Sequence, residues 1–119
     1  MTREEVLALA PGRELDALVA EKVMGWEYKD AIYSWGEVLR PSQWIKPNGW
    51  PVDRVSCYST DISAAWEVVE EMGDCLHLKQ HGEQGEWEAW FCGYPNSKAH
   101  GETAPETICK AALLAVMEL

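Results

Sequence analysis

Four consecutive residues, Tyr58-Ser59-Thr60-Asp61, carry the chemistry that is easiest to name. Ser, Thr and Asp side chains accept hydrogen bonds from the free N–H groups of a helix's first turn. The apolar residues that follow, Ile62, Ala65, Trp66 and Val69, have the i, i+3, i+4, i+7 spacing of one helix face. A helix should therefore start near Thr60 and stop at Gly73, which suits a left-handed cap. Its first turn offers unpaired N–H groups and a positive partial charge, a seat for phosphate. Arg54 lies just upstream, and Trp35, Trp44 and Trp50 precede it with rings on which a base could stack. Trp35, Trp44, Trp50, Arg54, Tyr58, Ser59, Thr60 and Asp61 thus form a candidate ligand site. The same residues have a plainer account. Asp61 can simply cap the helix, and tryptophan serves cores and subunit interfaces as readily as stacking sites.

Other reactive types are scattered. His77, His81 and His100 could exchange protons near neutral pH, but no nucleophile or carboxylate is fixed beside them by spacing. Glu86 and Glu88 fall on one side of an alternating strand, where two carboxylates could bind a metal or share a proton. At a hairpin end they read more simply as a solvated face. Cys57, Cys75, Cys92 and Cys109 form no C-x-x-C pair and sit beside apolar residues, the pattern of free, buried thiols in a reducing compartment. There is no G-x-S-x-G, P-loop, G-x-G-x-x-G or H-E-x-x-H. No acid, base and nucleophile set converges, so the expectation is a non-enzymatic chain without cofactor or metal.

The totals narrow the class. The 119 residues make one domain, and 47% apolar content supports a real core. The net charge of −10, from 20 acidic and 10 basic residues, disfavours extended nucleic acid and anionic membrane surfaces. It leaves room for a small nucleotide in one locally basic place, or for a basic protein partner. No apolar run is long enough for a membrane span, and the acidic start MTREEVLALAPGRELD lacks a signal-peptide core, so the expected location is the cytoplasm. Seven tryptophans are more than so short a chain would bury alone, which points to a homo-oligomer.

The elements that must position these residues are mostly visible. Thr2 and Glu5 form a T-x-x-E capping box, interrupted by Pro11-Gly12. A helix then runs from about Arg13 to Met24, with Leu15, Leu18, Val19 and Val23 inward, Lys22 laying its stem along the edge, and Glu14, Asp16 and Glu21 toward water. Gly25 stops it, and Trp26 folds back on its last turn. Residues 27–56 read as an ordered, aromatic-anchored insertion with short extended pieces near Ala31–Trp35 and Gln43–Ile45 and a turn at Pro47-Asn48-Gly49. Residues 75–80 and 87–92 read as a hairpin: the first run sets Leu76 and Leu78 opposite Cys75, His77 and Lys79, and the second, alternating less cleanly, sets Trp87, Ala89 and Phe91 opposite Glu88, Trp90 and Cys92, with apolar bulk on both faces. Residues 93–102 read as a loop. Thr103 and Glu106 box a last helix to about Met117, with Ile108, Ala112, Leu113, Ala115, Val116 and Leu119 inward. The sum is an α+β domain, a small and mostly antiparallel sheet flanked by about three helices, an α/β/α-type sandwich.

Three stretches, GRELDALVAEKVMGW, YSTDISAAWEVVEEM and APETICKAALLAVMEL, together resemble the phage ABA-sandwich domain family of small phage and prophage proteins. The resemblance spans the chain apart from residues 27–56 and 80–103. It implies helices flanking a sheet and carries over no catalytic residue. With the candidate site, it leads to the expectation of a phage-encoded binding protein that sequesters a nucleotide-type immune signal of the host. The alternative is a protein-interaction domain that meets a host or phage protein through an acidic, aromatic surface.

Overall fold

The computed structural model describes residues 1–73, 75–83 and 85–118. Both T-x-x-E boxes open helices, as their spacing requires. Thr2 Oγ1 accepts from the Glu5 N–H at 3.2 Å at the head of α1 (Arg3–Ala8). Thr103 Oγ1 accepts from the Glu106 N–H at 3.4 Å at the head of α4 (Ala104–Met117), with Pro105 in the first turn. Between them lie α2 (Arg13–Lys22) and α3 (Ile62–Glu71). The Trp26 N–H donates to the Ala20 carbonyl at 2.8 Å, so Trp26 does fold back on α2, and its ring is buried.

Helix α4 is the hub. Every residue from Glu106 to Ala115 is buried. One side of α4 packs on β7 (Trp87–Phe91) and β8 (Ala99–Gly101), and the remainder receives α1, α2 and α3. Gly101 permits the close approach of β8, since a Cβ there would stand 2.6 Å from Thr107 Oγ1. Two charges are trapped at this junction. Lys110 Nζ donates to Glu106 Oε2 at 2.8 Å and to the Leu7 carbonyl at 2.9 Å, which ties α1 to the hub and satisfies a pair that burial would otherwise penalise.

The described residues hold three small antiparallel sheets, and with the helices they make an α+β fold. The sheet on α4 has the order β6-β7-β8, with β6 at Leu76–Gln80. Leu76, Leu78, Ala89, Phe91 and Ala99 face the core, while His77, Lys79, Glu88, Trp90 and His100 lie on the outer face. Strand β8 falls where a loop was expected; it runs as a third strand because Ser97 Oγ, accepting from the Phe91 N–H at 2.9 Å, turns the chain back along β7.

Residues 27–56 form sheets of their own. β1 (Glu27–Lys29) pairs with β4 (Gln43–Ile45), which also pairs with β5 (Pro51–Val52) across the expected turn at Pro47-Asn48-Gly49. β2 (Ile32–Ser34) pairs with β3 (Glu37–Arg40). The register of Glu27↔Ile45 through Lys29↔Gln43 is resumed at Ile32↔Arg40, and shifts beyond Ile32. The two sheets are therefore one ribbon, closed by a two-residue turn at Trp35 (φ 54°) and Gly36 (φ 79°). Its outer half makes substantial contacts only within itself. The molecule measures 58 × 27 × 25 Å, an elongation that a ribbon standing clear of the helices accounts for.

Several expectations are corrected. Cys75 and Cys92 are joined in a disulfide, with Cα atoms 5.4 Å apart, and only Cys57 and Cys109 are free. They flank β6 and β7 on opposing rungs, so the hairpin register itself brings them together. Cys57 is exposed; Cys109 is buried, and burial pushes its thiol pKa well up. Asp16 points inward, not to water, because Ser59 is there to receive it. Ile62 and Trp66 are each 49% exposed, and α3 instead buries Ala65, Val68 and Val69 against α4. Val116 is exposed beyond the covered part of α4, and Leu119 lies outside the described residues.

Candidate functional site

Helix α2, the β1-β4-β5 sheet and residues 53–57 enclose a cleft of about 460 Å³. Arg13, Asp16 and Ala17 come from α2, where i, i+3, i+4 spacing puts them on one side. Tyr28 and Trp44 come from paired rungs of β1 and β4, so their rings meet, with centroids 5.2 Å apart and planes tilted by 59°. Asp53, Arg54, Val55 and Cys57 close the remaining side.

Behind this wall lies a fixed polar knot. Asp16 Oδ1 accepts from the Ser59 N–H at 2.7 Å and from Ser59 Oγ at 2.6 Å. Ser59 Oγ in turn accepts from the Gly12 N–H at 2.9 Å. The start of α2 is thereby locked to the segment that leads into α3. Tyr58 is buried beside it, edge-on to Trp26 at 6.4 Å, and burial pushes its phenol up to about 12. Lys46 Nζ covers the Trp26 ring from 5.4 Å.

The expected site residues separate into three groups. Trp44 and Arg54 line the cleft. Tyr58 and Ser59 are interior and already partnered, and Thr60 and Asp61 serve the start of α3, with Asp61 Oδ1 accepting from the Ser63 N–H at 2.8 Å. Trp50 is exposed off the cleft wall, and Trp35 stands at the ribbon's turn. The N-terminus of α3 is therefore taken by its own cap, and the wall beside it is the accessible surface. Sequence reasoning missed Arg13, Asp16, Tyr28 and Asp53. Tyr28 had a signal, since pairing 27–29 with the expected strand at 43–45 sets it against Trp44.

The remaining candidates gather on the outer face of the β6-β7-β8 sheet. Glu88 is buried, not solvated, because Lys98 Nζ reaches Oε1 and His81 Nε2 reaches Oε2, each at 2.8 Å. These hydrogen bonds hold its carboxyl at about 2, well below the usual range. His77 stacks on Trp90 at 4.9 Å, while Glu86 and His100 are exposed. Among the described residues no three His, Cys, Asp or Glu side chains converge as a metal ion would need, and no helix is long and apolar enough to cross a membrane.

No curated protein matches the chain. Among solved structures, a phage protein from Bacillus cereus ATCC 14579 is similar over 92% of this chain and 90% of its own, with 28% identity and a TM-score of 0.66. The model of the phage ABA sandwich domain matches residues 17–113, from inside α2, through the ribbon and the disulfide hairpin, into the buried part of α4. That span takes in the hub, its sheet and most of the cleft wall: the chain belongs to the phage ABA sandwich domain family.

Proposed function

We propose that the protein is a non-enzymatic binding module whose cleft takes a nucleotide-type ligand, and that it serves the phage by withdrawing a host immune signal. The observation that carries this is the gathering, around one cleft, of two arginines with two touching rings. Arginine grips phosphate with charge-assisted hydrogen bonds, and rings accept a base face. The volume falls within the roughly 300–1,000 Å³ of small-molecule sites. Arg13 and Arg54 are balanced by Asp16 and Asp53, so the wall is neutral although the chain is strongly acidic. Such a wall suits a ligand with one or two phosphates and hydroxyls for the carboxylates, not a polyphosphate. All three histidines lie outside the cleft lining, which leaves Cys57 there without a neighbouring imidazole base.

Calorimetry with cyclic dinucleotides and ADP-ribose-type nucleotides tests this. Arg54→Ala should weaken binding roughly 10- to 100-fold, the ~1.5–3 kcal/mol of a charged hydrogen bond, and Trp44→Ala by a comparable factor for a lost stack of ~1–3 kcal/mol. Thr60→Ala should change little. No heat from any of these nucleotides with folded protein removes the proposal.

A second reading is favoured by α3. Ile62 and Trp66, each 49% exposed, lie beside exposed Glu67, Glu70 and Glu71. This acidic, aromatic surface suits a basic host or phage protein. A partner captured through it should survive high salt if the ring contributes most, and Trp66→Ala should release it.

A further inference from the structure

We propose that the outer half of the ribbon, β2 and β3, is a self-association arm through which two copies of the chain join. This goes beyond the cleft reading and stands without it. Two antiparallel strands are marginal in water when nothing packs on them. Yet Ile32, Tyr33, Trp35, Val38 and Leu39 are 45%, 65%, 101%, 56% and 66% exposed, and no other described element packs substantially on β2 and β3. The turn shows the same neglect of solubility. Position 35 has φ 54°, where glycine, asparagine or aspartate is favoured, and a bulky ring there costs about 1 kcal/mol. A fully exposed Trp35 gains nothing from the fold in return.

The occupant is a second copy, on grounds of charge complementarity along the open edge of β3. β3 reads Glu37-Val38-Leu39-Arg40, which is self-complementary. Laid antiparallel along its free edge, two such strands set Glu37 against the partner's Arg40 and Val38 against the partner's Leu39. Arg40 is short of acceptors: Nη2 donates to the Asp30 carbonyl at 3.2 Å, and Nε has no partner among the described residues. Residues 32–40 hold no lysine or proline, the usual guards of an edge strand. A foreign basic protein would be drawn to the acidic body, not to this neutral arm. Antiparallel arms also leave the two bodies, each of them acidic, at opposite ends, beyond the ~8–10 Å over which charge is felt in physiological salt.

Sedimentation of the full chain tests the arm. The wild type should sediment at twice the 13.4 kDa chain mass. Val38→Lys with Leu39→Lys should give a monomer whose thermal midpoint matches that of the wild type diluted until it dissociates, since association alone adds the difference. Glu37→Arg should weaken association about tenfold or more by setting like charges together, and adding Arg40→Glu should restore it. Trp35→Asn should weaken association. A wild type that stays monomeric from micromolar to millimolar concentration overturns the proposal, as does a dimer that survives the double lysine variant. A charge swap that fails to rescue overturns it too.

Discussion

Ser59 holds three groups together, and its removal should be felt although it touches no ligand. Ser59→Ala takes the only side-chain partner from the part-buried Gly12 N–H and leaves Asp16 Oδ1 with the Ser59 N–H alone. A buried polar group left unpaired costs about 1–3 kcal/mol. The urea midpoint of Ser59→Ala should fall by that equivalent, whereas Thr60→Ala, one residue away and exposed, should barely move it. The residue types at 59–61 announced a helix start. They could not announce that Ser59 would turn inward, because its partner Asp16 is 43 residues away in sequence. Glu88 gives a second prediction at this scale. Its carboxyl titrates at about 2 in the folded chain, against an ordinary 4.5. The folded value is the lower one, so the contribution is complete above the ordinary value and disappears as pH falls toward 2. Thermal midpoints of the wild type and Glu88→Gln should differ at pH 7 and converge across pH 4.5 to about 2.

Among elements, those specified by neighbours in sequence were legible. Both T-x-x-E boxes, the return of Trp26 and the alternation of Leu76, Leu78, Ala89 and Phe91 are local signals, and each appears in the fold. The face of α3 was misjudged because Val68 and Trp66 compete for the core, and α4 accepts the smaller side chain. The ribbon is legible in part: the extended pieces near Ala31–Trp35 and Gln43–Ile45 are β2 and β4, but its closing turn is not, because Trp-Gly does not announce a tight turn when a ring at positive φ is disfavoured. The disulfide had a signal that composition obscured. Strands 75–80 and 87–92 are equal in length, and end-to-end pairing sets Cys75 opposite Cys92. With 17 residues of separation, breaking the bond should lower stability by ~3 kcal/mol on the loop-entropy account. Thermal scans with and without reductant measure it, and Cys75→Ser with Cys92→Ser should make the protein insensitive to reductant.

At the scale of the molecule, a body built around α4 is separate from a projection built from residues 30–42. The cleft draws on both, because it borrows Tyr28 and Trp44 from the root of the ribbon and Arg13 from α2. Changes at the root should therefore disturb the cleft, while changes in β2 and β3 should leave its lining intact. The single register from Glu27↔Ile45 to Ile32↔Arg40 also makes the projection's reach adjustable in fixed increments. Excising Asp30 and Ala31 together with Pro41 and Ser42 removes two whole rungs and keeps every remaining side chain on its own face, since the pleat repeats every second residue. A single residue cut from one leg would instead need a bulge like the one beyond Ile32 to keep the far rungs on their faces. Matched pairs of residues on both legs thus change the ribbon's reach without adding such an irregularity.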